Sequence, residues 1–173
     1  IKVSFTDILV KAVAAALIQF PNVNATLDGQ NIIMKHYVNL GIAVALENGL
    51  IVPNIKNAHL LSVTQIHEQV ASLAAKAKDG KLTRDEYANG TFTITNLGMY
   101  DVDEFTAVIN PPEAAILAVG KIADTPVAVD GKVEIRPIMT LSLTYDHRII
   151  DGAPAAQFLQ YVKKLLQNPY LML

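Results

Sequence analysis

The order in which apolar periodicities follow one another along the chain is the feature that most constrains its fold. Helical spacing occurs in three separate places, over residues 8–18, 62–78 and 153–166, and Ser62 with Gln65 forms a capping box for the second helix. Strand-like segments come in groups between these helices, at 31–46, 50–55, 91–95, 113–122 and 133–145. Grouped strands between separated helices favour an α+β fold with a mixed, largely antiparallel sheet over a doubly wound parallel sheet.

Short signals mark the ends of these elements. Thr6 and Asp7 are suited to cap the first helix, and Pro21 ends it. Turns are predicted where Asp or Asn precedes glycine, at 28–29, 47–49 and 130–131. No repeat and no flexible linker divides the 173 residues, so we expect one domain.

Composition narrows the class of protein. Hydrophobic residues make up 51% of the chain and charged residues only 17%, so we expect an oligomer that buries apolar surface between subunits. The net charge is -2 and the basic residues are scattered, which argues against nucleic-acid binding. The apolar run at 8–20 is too short to span a bilayer and contains Lys11, so no membrane partner is expected.

The chain has no cysteine, which excludes disulfide scaffolds, thiolate metal sites and cysteine nucleophiles. None of His36, His59 and His67 pairs with another histidine or with a carboxylate at the close spacing that zinc sites use. No metal site is therefore predicted. The glycine patterns that cradle nucleotide phosphates are also missing from the sequence. The compartment stays open, since a cysteine-free chain suits reducing and oxidising settings alike.

Four ionisable side chains crowd one turn in the segment TYDHRIIDG, residues 144–152; they are Asp146, His147, Arg148 and Asp151. They follow the apolar stretch at 138–143, which we expect to be buried on both faces. One interpretation is a polar cap on a strand, with its charges solvated or mutually paired. The other is a reaction centre, because a histidine at the edge of a core can have its charge state tuned.

A second candidate segment is GTFTITNLGMYD, residues 90–101. Alternation along a strand places Thr91, Thr93 and Thr95 on one face, where their hydroxyls can act together. The alternative is that threonine simply favours strands and that 96–98 is a turn.

Together these segments resemble one family. HRIIDG at 147–152 looks like the H-R-x-x-D-G signature of the acyltransferase component of 2-oxo acid dehydrogenase complexes. The segments 90–101 and 109–122 resemble two stretches that this family carries upstream, in the same order. The resemblance covers the whole chain, because three further segments also fit, at 5–17, 38–53 and 168–173.

The resemblance implies a chloramphenicol acetyltransferase-like fold, a two-layer α/β sandwich with a mixed, mostly antiparallel sheet and flanking helices. It also implies transfer of an acyl group from dihydrolipoamide to coenzyme A. The segment 96–120 looks most similar to the acetyl-transferring branch, in pyruvate or acetoin dehydrogenase complexes, while succinyl and branched-chain relatives remain open.

Residue roles carry over from the family by position. His147 matches the general base that takes a thiol proton, and Thr95 matches the hydroxyl that stabilises the oxyanion. Asp151 matches the signature carboxylate, which is expected to orient the histidine through an ion pair.

Three more residues are expected to support the site. Arg148 is a candidate ion-pair partner for Asp151 or for a neighbouring carboxylate. Gly152 is expected to let the chain turn into the last helix, and Asn96 follows the threonine strand directly.

The resemblance implies an assembly as well. Family members form homotrimers in which the histidine of one chain faces the hydroxyl of its neighbour, and the trimers build larger hollow cores. The implied partners are a lipoyl domain, a decarboxylase and a dihydrolipoamide dehydrogenase, with the lipoyl group on a separate domain and coenzyme A as substrate. The residues that contact coenzyme A are not indicated. The implied location is cytoplasmic, or the mitochondrial matrix or a plastid in a eukaryote.

Two departures from the family pattern stand out. Relatives usually begin a few dozen residues earlier, so residues 1–173 are expected to be the catalytic domain without its usual opening segment. Asp101 stands where many relatives have glycine, and we expect it to reshape the loop that follows the threonine strand.

Two other functions stay open. One is a scaffold subunit that builds the core and binds partners but has no catalytic activity. Such relatives typically lose the histidine that is present here as His147. A small-molecule O-acetyltransferase is the other alternative, but that family tends to carry H-H-x-x-x-D-G, whereas Asp146 precedes His147 here.

Overall fold

Three long helices pack against one face of a central sheet in this computed structural model, which describes residues 2–172. The helices are α1 (Phe5–Gln19), α2 (Val63–Lys78), the short α3 (Arg84–Tyr87) and α4 (Gly152–Gln167). Single 3-10 turns lie at Ala58–Leu60, Gly98–Tyr100 and Pro169–Met172. Within residues 2–172, no helix combines the length and apolar character that a bilayer crossing requires.

Eleven strands are formed within the described residues. They are β1 (Ala25–Asp28), β2 (Asn31–Met34), β3 (Leu40–Ile42), β4 (Val44–Leu46), β5 (Gly49–Ile51), β6 (Asn54–Ile55), β7 (Phe92–Asn96), β8 (Ala115–Val119), β9 (Ala123–Val129), β10 (Lys132–Ile138) and β11 (Leu141–Tyr145).

The central sheet has the strand order β11-β8-β7-β3-β6. β7 runs parallel to both β8 and β3, while the outer strands β11 and β6 are antiparallel to their neighbours. Three antiparallel hairpins, β1–β2, β4–β5 and β9–β10, complete the strand pairings. The predicted α+β fold with a mixed, mostly antiparallel sheet and flanking helices is confirmed.

The two faces of the sheet have different coverings. Phe92 and Ile94 of β7 and Leu117 of β8 face the helices and belong to the main core. Side chains alternate along a strand, so Ile116 and Ala118 point to the other face, where the segment around Ala107 packs on them. Residues 93 and 95 of β7 therefore share this second, more open face of the sheet.

A tight crossing holds the chain that follows β7. A Cβ added at Gly120 would lie 1.8 Å from the Asp103 carbonyl oxygen, so only glycine fits there. Lys121 N donates to Val102 O at 2.8 Å, and the Lys121 ammonium lies 2.8 Å from Asp101 Oδ1. Asp101 has φ 63, in the left-handed region that glycine adopts most readily and that aspartate tolerates. Asp101 thus keeps a glycine-like backbone and adds an ion pair.

The predicted boundaries need corrections. Ser4, not Thr6 or Asp7, is the N-cap of α1, and Asp7 completes its capping box. The single strand predicted at 31–46 is three strands, since β2, β3 and β4 pair with different partners. The segment predicted at 133–145 divides into β10 and β11, and β9 was not predicted.

The expectation that 138–143 is buried on both faces is wrong. β11 pairs only with β8 and lies at the edge of the sheet, so all five of its residues remain partly exposed. An edge strand leaves one row of backbone groups open, and in this chain it leads directly to the turn that carries His147.

Candidate active site

The turn after β11 projects His147 away from the core. Asp146 N donates to Ala114 O at 2.8 Å, which extends the β11–β8 pairing by one residue. Asp146 O then accepts hydrogen bonds from Ile149 N and Ile150 N, at 2.9 and 3.0 Å. The fully buried Ile150 anchors the turn, so the tight backbone between Asp146 and Ile150 leaves His147 at its outer corner.

The His147 imidazole is open to a substrate. Its side chain is 71% exposed, and its Nδ1 lies 3.8 Å from Asp151 Oδ1, too far for a hydrogen bond. Asp151 is the N-cap residue of α4, so its carboxylate stands at the start of that helix, four residues after the histidine. The Tyr145 ring lies 5.7 Å from the imidazole, centroid to centroid, and flanks it on the strand side.

Arg148 pairs with Asp146 and not with Asp151. Its Nε and Nη2 donate to the two Asp146 oxygens, at 3.0 and 2.6 Å, and its backbone N donates to Oδ1 at 3.0 Å. These hydrogen bonds hold the pKa of Asp146 below its ordinary value. Of the two partners expected for Arg148, the structure shows the neighbouring carboxylate, and the pair stiffens the turn beside His147.

Gly152 does not play the conformational part expected of it. It is the first residue of α4 and has no left-handed φ. A Cβ there would make an ordinary contact of 3.6 Å with the Tyr145 hydroxyl, so the backbone entry into α4 does not demand glycine.

Thr95 is the free hydroxyl of the threonine strand. Thr91 is hydrogen-bonded to the Asn39 backbone, and Thr93 donates to a carboxylate. Thr95 is half-buried on the same face, and within residues 2–172 its hydroxyl has no hydrogen-bond partner. Asn96 Oδ1 accepts from Gly98 N at 2.8 Å, so Asn96 shapes the turn after the strand.

The sequence interpretation missed Glu113, which contacts the threonine strand on the face that carries Thr93 and Thr95. Glu113 is only 7% exposed, and its Oε2 accepts a 2.6 Å hydrogen bond from Thr93 Oγ1. Asn110 Nδ2 donates to its other oxygen at 3.3 Å. One signal for Glu113 was available, because it is the single charged residue directly before the apolar run at 114–119.

His147 and Thr95 lie at opposite ends of the sheet within one chain. Thr95 is level with Ala118 near the end of β8, whereas Tyr145 is level with Ala115 at its start. These levels are roughly 10 Å apart along the strands, and two spacings of about 4.8 Å separate β7 from β11 across the sheet. The chain moves still further from Thr95 before it reaches His147, so a small acyl group cannot touch both side chains of one subunit.

Metal ligands are not grouped anywhere in the described part of the chain: residues 2–172 contain no cluster of three or more His, Cys, Asp or Glu side chains suited to hold an ion.

Comparison with known proteins gives a match over the whole chain. The catalytic domain of 2-oxoacid dehydrogenase acyltransferases matches residues 1–173. A succinyltransferase component of the 2-oxoglutarate dehydrogenase complex of Pseudomonas aeruginosa is 43% identical over 100% of this chain and 42% of its own length. An acetyltransferase component of the pyruvate dehydrogenase complex of Staphylococcus aureus is 44% identical over 99% of this chain and 40% of its own length. The chain therefore spans less than half the length of these relatives.

Solved structures agree with the fold. The dihydrolipoamide acetyltransferase of Azotobacter vinelandii, studied for the catalytic roles of a serine, a histidine and an asparagine, superposes with a TM-score of 0.95 at 39% identity, over 99% of this chain and 72% of that one. The cubic core of a pyruvate dehydrogenase complex gives 0.95 at 40% identity, with the same coverage. A chloramphenicol acetyltransferase gives 0.60 at 15% identity over 94% of this chain and 78% of that one, which supports the fold alone.

Proposed function

Because the chain belongs to the family of 2-oxoacid dehydrogenase acyltransferase catalytic domains, we propose that it moves an acyl group from dihydrolipoamide to coenzyme A. The observation that carries this proposal is that His147 has an exposed imidazole and Thr95 has a hydroxyl without a hydrogen-bond partner in the described residues. These are the positions where the family places its base and its oxyanion donor. Neither group is tied up within its own subunit, so both are available to a substrate.

The thiol of coenzyme A is the group that needs activation. A thiol with a pKa near ~8.5 is mostly protonated at neutral pH, and only the thiolate is a good nucleophile. In the proposed step, His147 takes the thiol proton as the sulfur attacks the thioester carbonyl of the acyl-dihydrolipoamide. General base catalysis of this kind contributes ~10²–10⁴-fold.

The tetrahedral intermediate places a negative charge on the former carbonyl oxygen. The Thr95 hydroxyl donates a hydrogen bond to that oxygen, a contribution of ~10²–10³-fold for one donor. When the intermediate collapses, the bond to the dihydrolipoyl sulfur breaks and His147 returns its proton to that sulfur. The products are the acyl thioester of coenzyme A and dihydrolipoamide, so one thioester bond replaces another, and protons and electrons balance without hydrolysis of ATP.

The proposed site lies between two subunits of a homotrimer. His147 and Thr95 of one chain leave the sheet at opposite ends, so a complete site needs the histidine of one chain and the threonine of the next. A head-to-tail contact repeated around a three-fold axis makes three such sites. The solved cubic core is an assembly of similar chains, which supports a larger core built from these trimers.

The Azotobacter enzyme supports the same residue roles. Its serine precedes its histidine by the interval that separates Thr95 from His147, and its asparagine follows at the interval of Asp151. The residue at the corresponding interval there is an asparagine, so the proposed role of position 151 does not depend on a reacting carboxylate. Asp151 is therefore assigned an orienting role, in which it draws closer than 3.8 Å to the imidazole once that ring carries a proton.

The proposed acyl group is acetyl. The curated relatives leave this open, since a succinyltransferase and an acetyltransferase match equally well, at 43% and 44% identity. A succinyl group carries a distal carboxylate that needs a cationic or hydrogen-bonding partner. Two cations that follow the proposed site segments closely in sequence, Lys121 after β8 and Arg148 after His147, are paired with aspartates of their own chain, which favours an uncharged acyl group.

The proposed partners belong to the rest of a 2-oxo acid dehydrogenase complex. They are a lipoyl domain that delivers the acyl group, a decarboxylase that loads it and a dihydrolipoamide dehydrogenase that reoxidises the arm. The lipoyl domain is proposed as a separate unit, because residues 1–173 contain no Asp-Lys pattern for lipoyl attachment.

Replacing His147 tests the proposal directly. We expect His147→Ala to lower transfer from acetyl-dihydrolipoamide to coenzyme A by ~10²–10⁴-fold, measured by thioester formation on the assembled protein. His36→Ala is the matched control, since His36 is an exposed histidine away from the turn, and it should transfer normally. Transfer retained by the His147 variant would end the assignment of the base.

The same assay separates the alternatives. Faster turnover of succinyl-dihydrolipoamide than of the acetyl substrate would replace acetyl by succinyl as the transferred group. An assembled protein that transfers neither group would indicate a scaffold subunit. Transfer to a small alcohol in preference to coenzyme A would indicate an O-acetyltransferase.

A further inference from the structure

Among residues 2–172, Glu113 has a buried carboxyl near Thr95 that the proposed mechanism does not use. It lies against the open face of the sheet, just before β8, and receives hydrogen bonds from Thr93 and Asn110. Two glycines leave room for it: a Cβ at Gly90 would lie 2.7 Å from Glu113 Oε1, and a Cβ at Gly41 would lie 3.0 Å from Thr93 Oγ1. The chain is thus built closely around this carboxyl.

A neighbouring amide suits the neutral form of Glu113. Asn54 Oδ1 is buried and has no hydrogen-bond donor. Asn54 Oδ1 and Glu113 Oε1 each lie 2.7 Å from the position a Cβ would take at Gly90, so both oxygens border the same small space beside that glycine. A protonated carboxyl brings a hydrogen into this space, whereas a carboxylate adds a negative charge beside the lone pairs of Asn54.

Within residues 2–172, no cation is in ion-pair contact with the carboxyl of Glu113. Lys35 and Tyr37, from the segment between β2 and β3, line the small crevice beside Glu113. Within residues 2–172, neither side chain forms an ion pair or hydrogen bond with the carboxyl, whose partners are Thr93 and Asn110 alone. An uncompensated buried charge is costly, so ionisation of Glu113 has consequences for its surroundings.

Thr95 is close enough to experience that charge. Thr93 contacts Glu113 directly, and Thr95 is two residues along the same strand and on the same face, a distance of about 7 Å. At such a separation inside a protein, two negative charges repel strongly enough to change a rate roughly tenfold. The oxyanion proposed beside Thr95 is a charge of this kind.

We propose that Glu113 is a positioning and electrostatic residue that supports the oxyanion step only while its carboxyl is protonated. The neutral carboxyl holds Thr93 and so fixes the strand that presents Thr95. The ionised carboxyl adds a negative charge on the face of the strand that carries Thr95 and opposes the oxyanion. This inference rests on the proposed acyl transfer and adds a pH limit to it that neither His147 nor the substrate thiol supplies.

The titration range agrees with this role. Burial raises the pKa of Glu113 to about 7, and the hydrogen bonds from Thr93 and Asn110 only partly offset that rise. Glu113 is therefore mostly neutral below that value and mostly ionised above it. A general base and a thiol nucleophile become more effective as pH rises, so the effect of Glu113 runs opposite to that general trend.

The test is a comparison of pH–rate profiles. Glu113→Gln keeps the shape and the hydrogen-bonding capacity of the protonated acid but cannot ionise. On the full-length assembled protein, we expect its acyl-transfer rate to equal that of the unaltered protein near about pH 6 and to exceed it roughly tenfold near about pH 8.5. Glu104→Gln is the matched control, because Glu104 is an exposed carboxylate in the same segment, and its profile should follow the unaltered protein.

A second variant gives a result even if the first does not fold. Thr93→Val keeps the carboxyl and removes the hydrogen bond that partly stabilises its charge. We expect the alkaline loss of activity to move to higher pH in this variant. Superimposable normalised profiles for the unaltered protein and either foldable variant overturn the inference.

The outcomes keep the two proposals apart. If the unaltered protein transfers no acyl group at any pH, the proposed function fails. If it transfers acyl groups and its profile is indifferent to Glu113 and Thr93, the proposed function stands and the role of Glu113 fails.

Discussion

Two threonines on one strand have different environments, and a single carboxylate makes the difference. Thr93 and Thr95 project to the same face of β7, but Thr93 is 1% exposed and donates to Glu113, while Thr95 is half-buried and free. A hydroxyl that already donates to a carboxylate cannot donate to an oxyanion. The structure therefore singles out Thr95 from its neighbour on physical grounds that are independent of the family pattern.

Substitutions at Thr95 test that distinction. We expect Thr95→Val to lower acyl transfer by ~10²–10³-fold, because it removes one oxyanion donor and leaves the side-chain shape nearly unchanged. Thr95→Ser is the matched control and should keep activity within a few-fold, since the hydroxyl remains. Rates measured at substrate saturation report on the chemical step. A valine variant as fast as the serine variant would contradict the role of the hydroxyl.

At the scale of residues, sequence reasoning named the candidates that family motifs mark and missed a buried carboxyl that tertiary contacts create. His147 and Thr95 stand in recognisable segments. Glu113 contacts Thr93 across 20 positions of sequence, and its burial depends on the parallel pairing of β7 with β8. Periodicity along one strand cannot report what the neighbouring strand brings against it.

At the scale of elements, the start of α1 illustrates a buried charge with partners. Asp7 is fully buried, and its Oδ2 accepts hydrogen bonds from Ser4 N and Ser4 Oγ, each at 2.7 Å. His67 Nδ1 of α2 lies 2.9 Å from the same oxygen. Burial alone would raise the pKa of Asp7, but the Ser4 hydrogen bonds and His67 outweigh it, so the pKa is lowered from its ordinary 3.8.

The lowered pKa of Asp7 gives a pH-dependent contribution to stability. The unfolded chain binds the proton more readily than the folded one, so the contribution is present above the ordinary pKa and is lost as pH falls below it. We expect Asp7→Asn to lower the free energy of unfolding near about pH 7 by about 1–3 kcal/mol, because charge-assisted hydrogen bonds are lost. Thermal unfolding measures this loss, and the gap between the two proteins should narrow as the pH is brought towards the ordinary pKa and below.

Asp28→Asn is the matched control for Asp7, because Asp28 is an exposed aspartate at the end of β1. Its unfolding temperature should follow the unaltered protein at every pH. An Asp7 variant with the same unfolding temperature as the Asp28 variant at neutral pH would show that the α1–α2 contact contributes nothing.

Element boundaries were predicted well for helices and poorly for strands. α2 begins after Ser62 with the predicted capping box to Gln65, because a cap is a local interaction that the sequence displays directly. β9 contains Asp124, Thr125 and Pro126 and has little strand character of its own. It forms because β10 pairs with it over seven residues, and such pairing is a tertiary effect that overrides local preference.

At the scale of the molecule, the composition predicted that apolar surface is buried between subunits. The single chain indeed leaves apolar side chains exposed. Large apolar side chains remain highly exposed, among them Met99, Val108, Val133 and Tyr170, each at least 79% accessible. Such exposure is unusual for a monomer and marks contact surfaces. This exposure agrees with the sheet topology, which places His147 near one end of each subunit and Thr95 near the other. Each end therefore carries one half of a proposed site.

Mixing two inactive variants tests the shared site. Chains with His147→Ala and chains with Thr95→Val should each transfer acyl groups very slowly when assembled alone. When the two are produced together and co-assemble at random, we expect about a quarter of the interfaces to join an intact histidine to an intact threonine. Acyl transfer should then recover to about a quarter of the unaltered rate per site, because each head-to-tail interface samples the two chains independently.

The timing of mixing provides the control for this experiment. Variants assembled separately and combined afterwards contain only defective interfaces, so they should stay inactive until subunits exchange. A site contained within one chain predicts no recovery under either condition, since every chain then lacks one of the two groups. Recovery that depends on co-assembly therefore requires His147 and Thr95 to come from different subunits, and its absence in a mixed assembly would place the chemistry elsewhere.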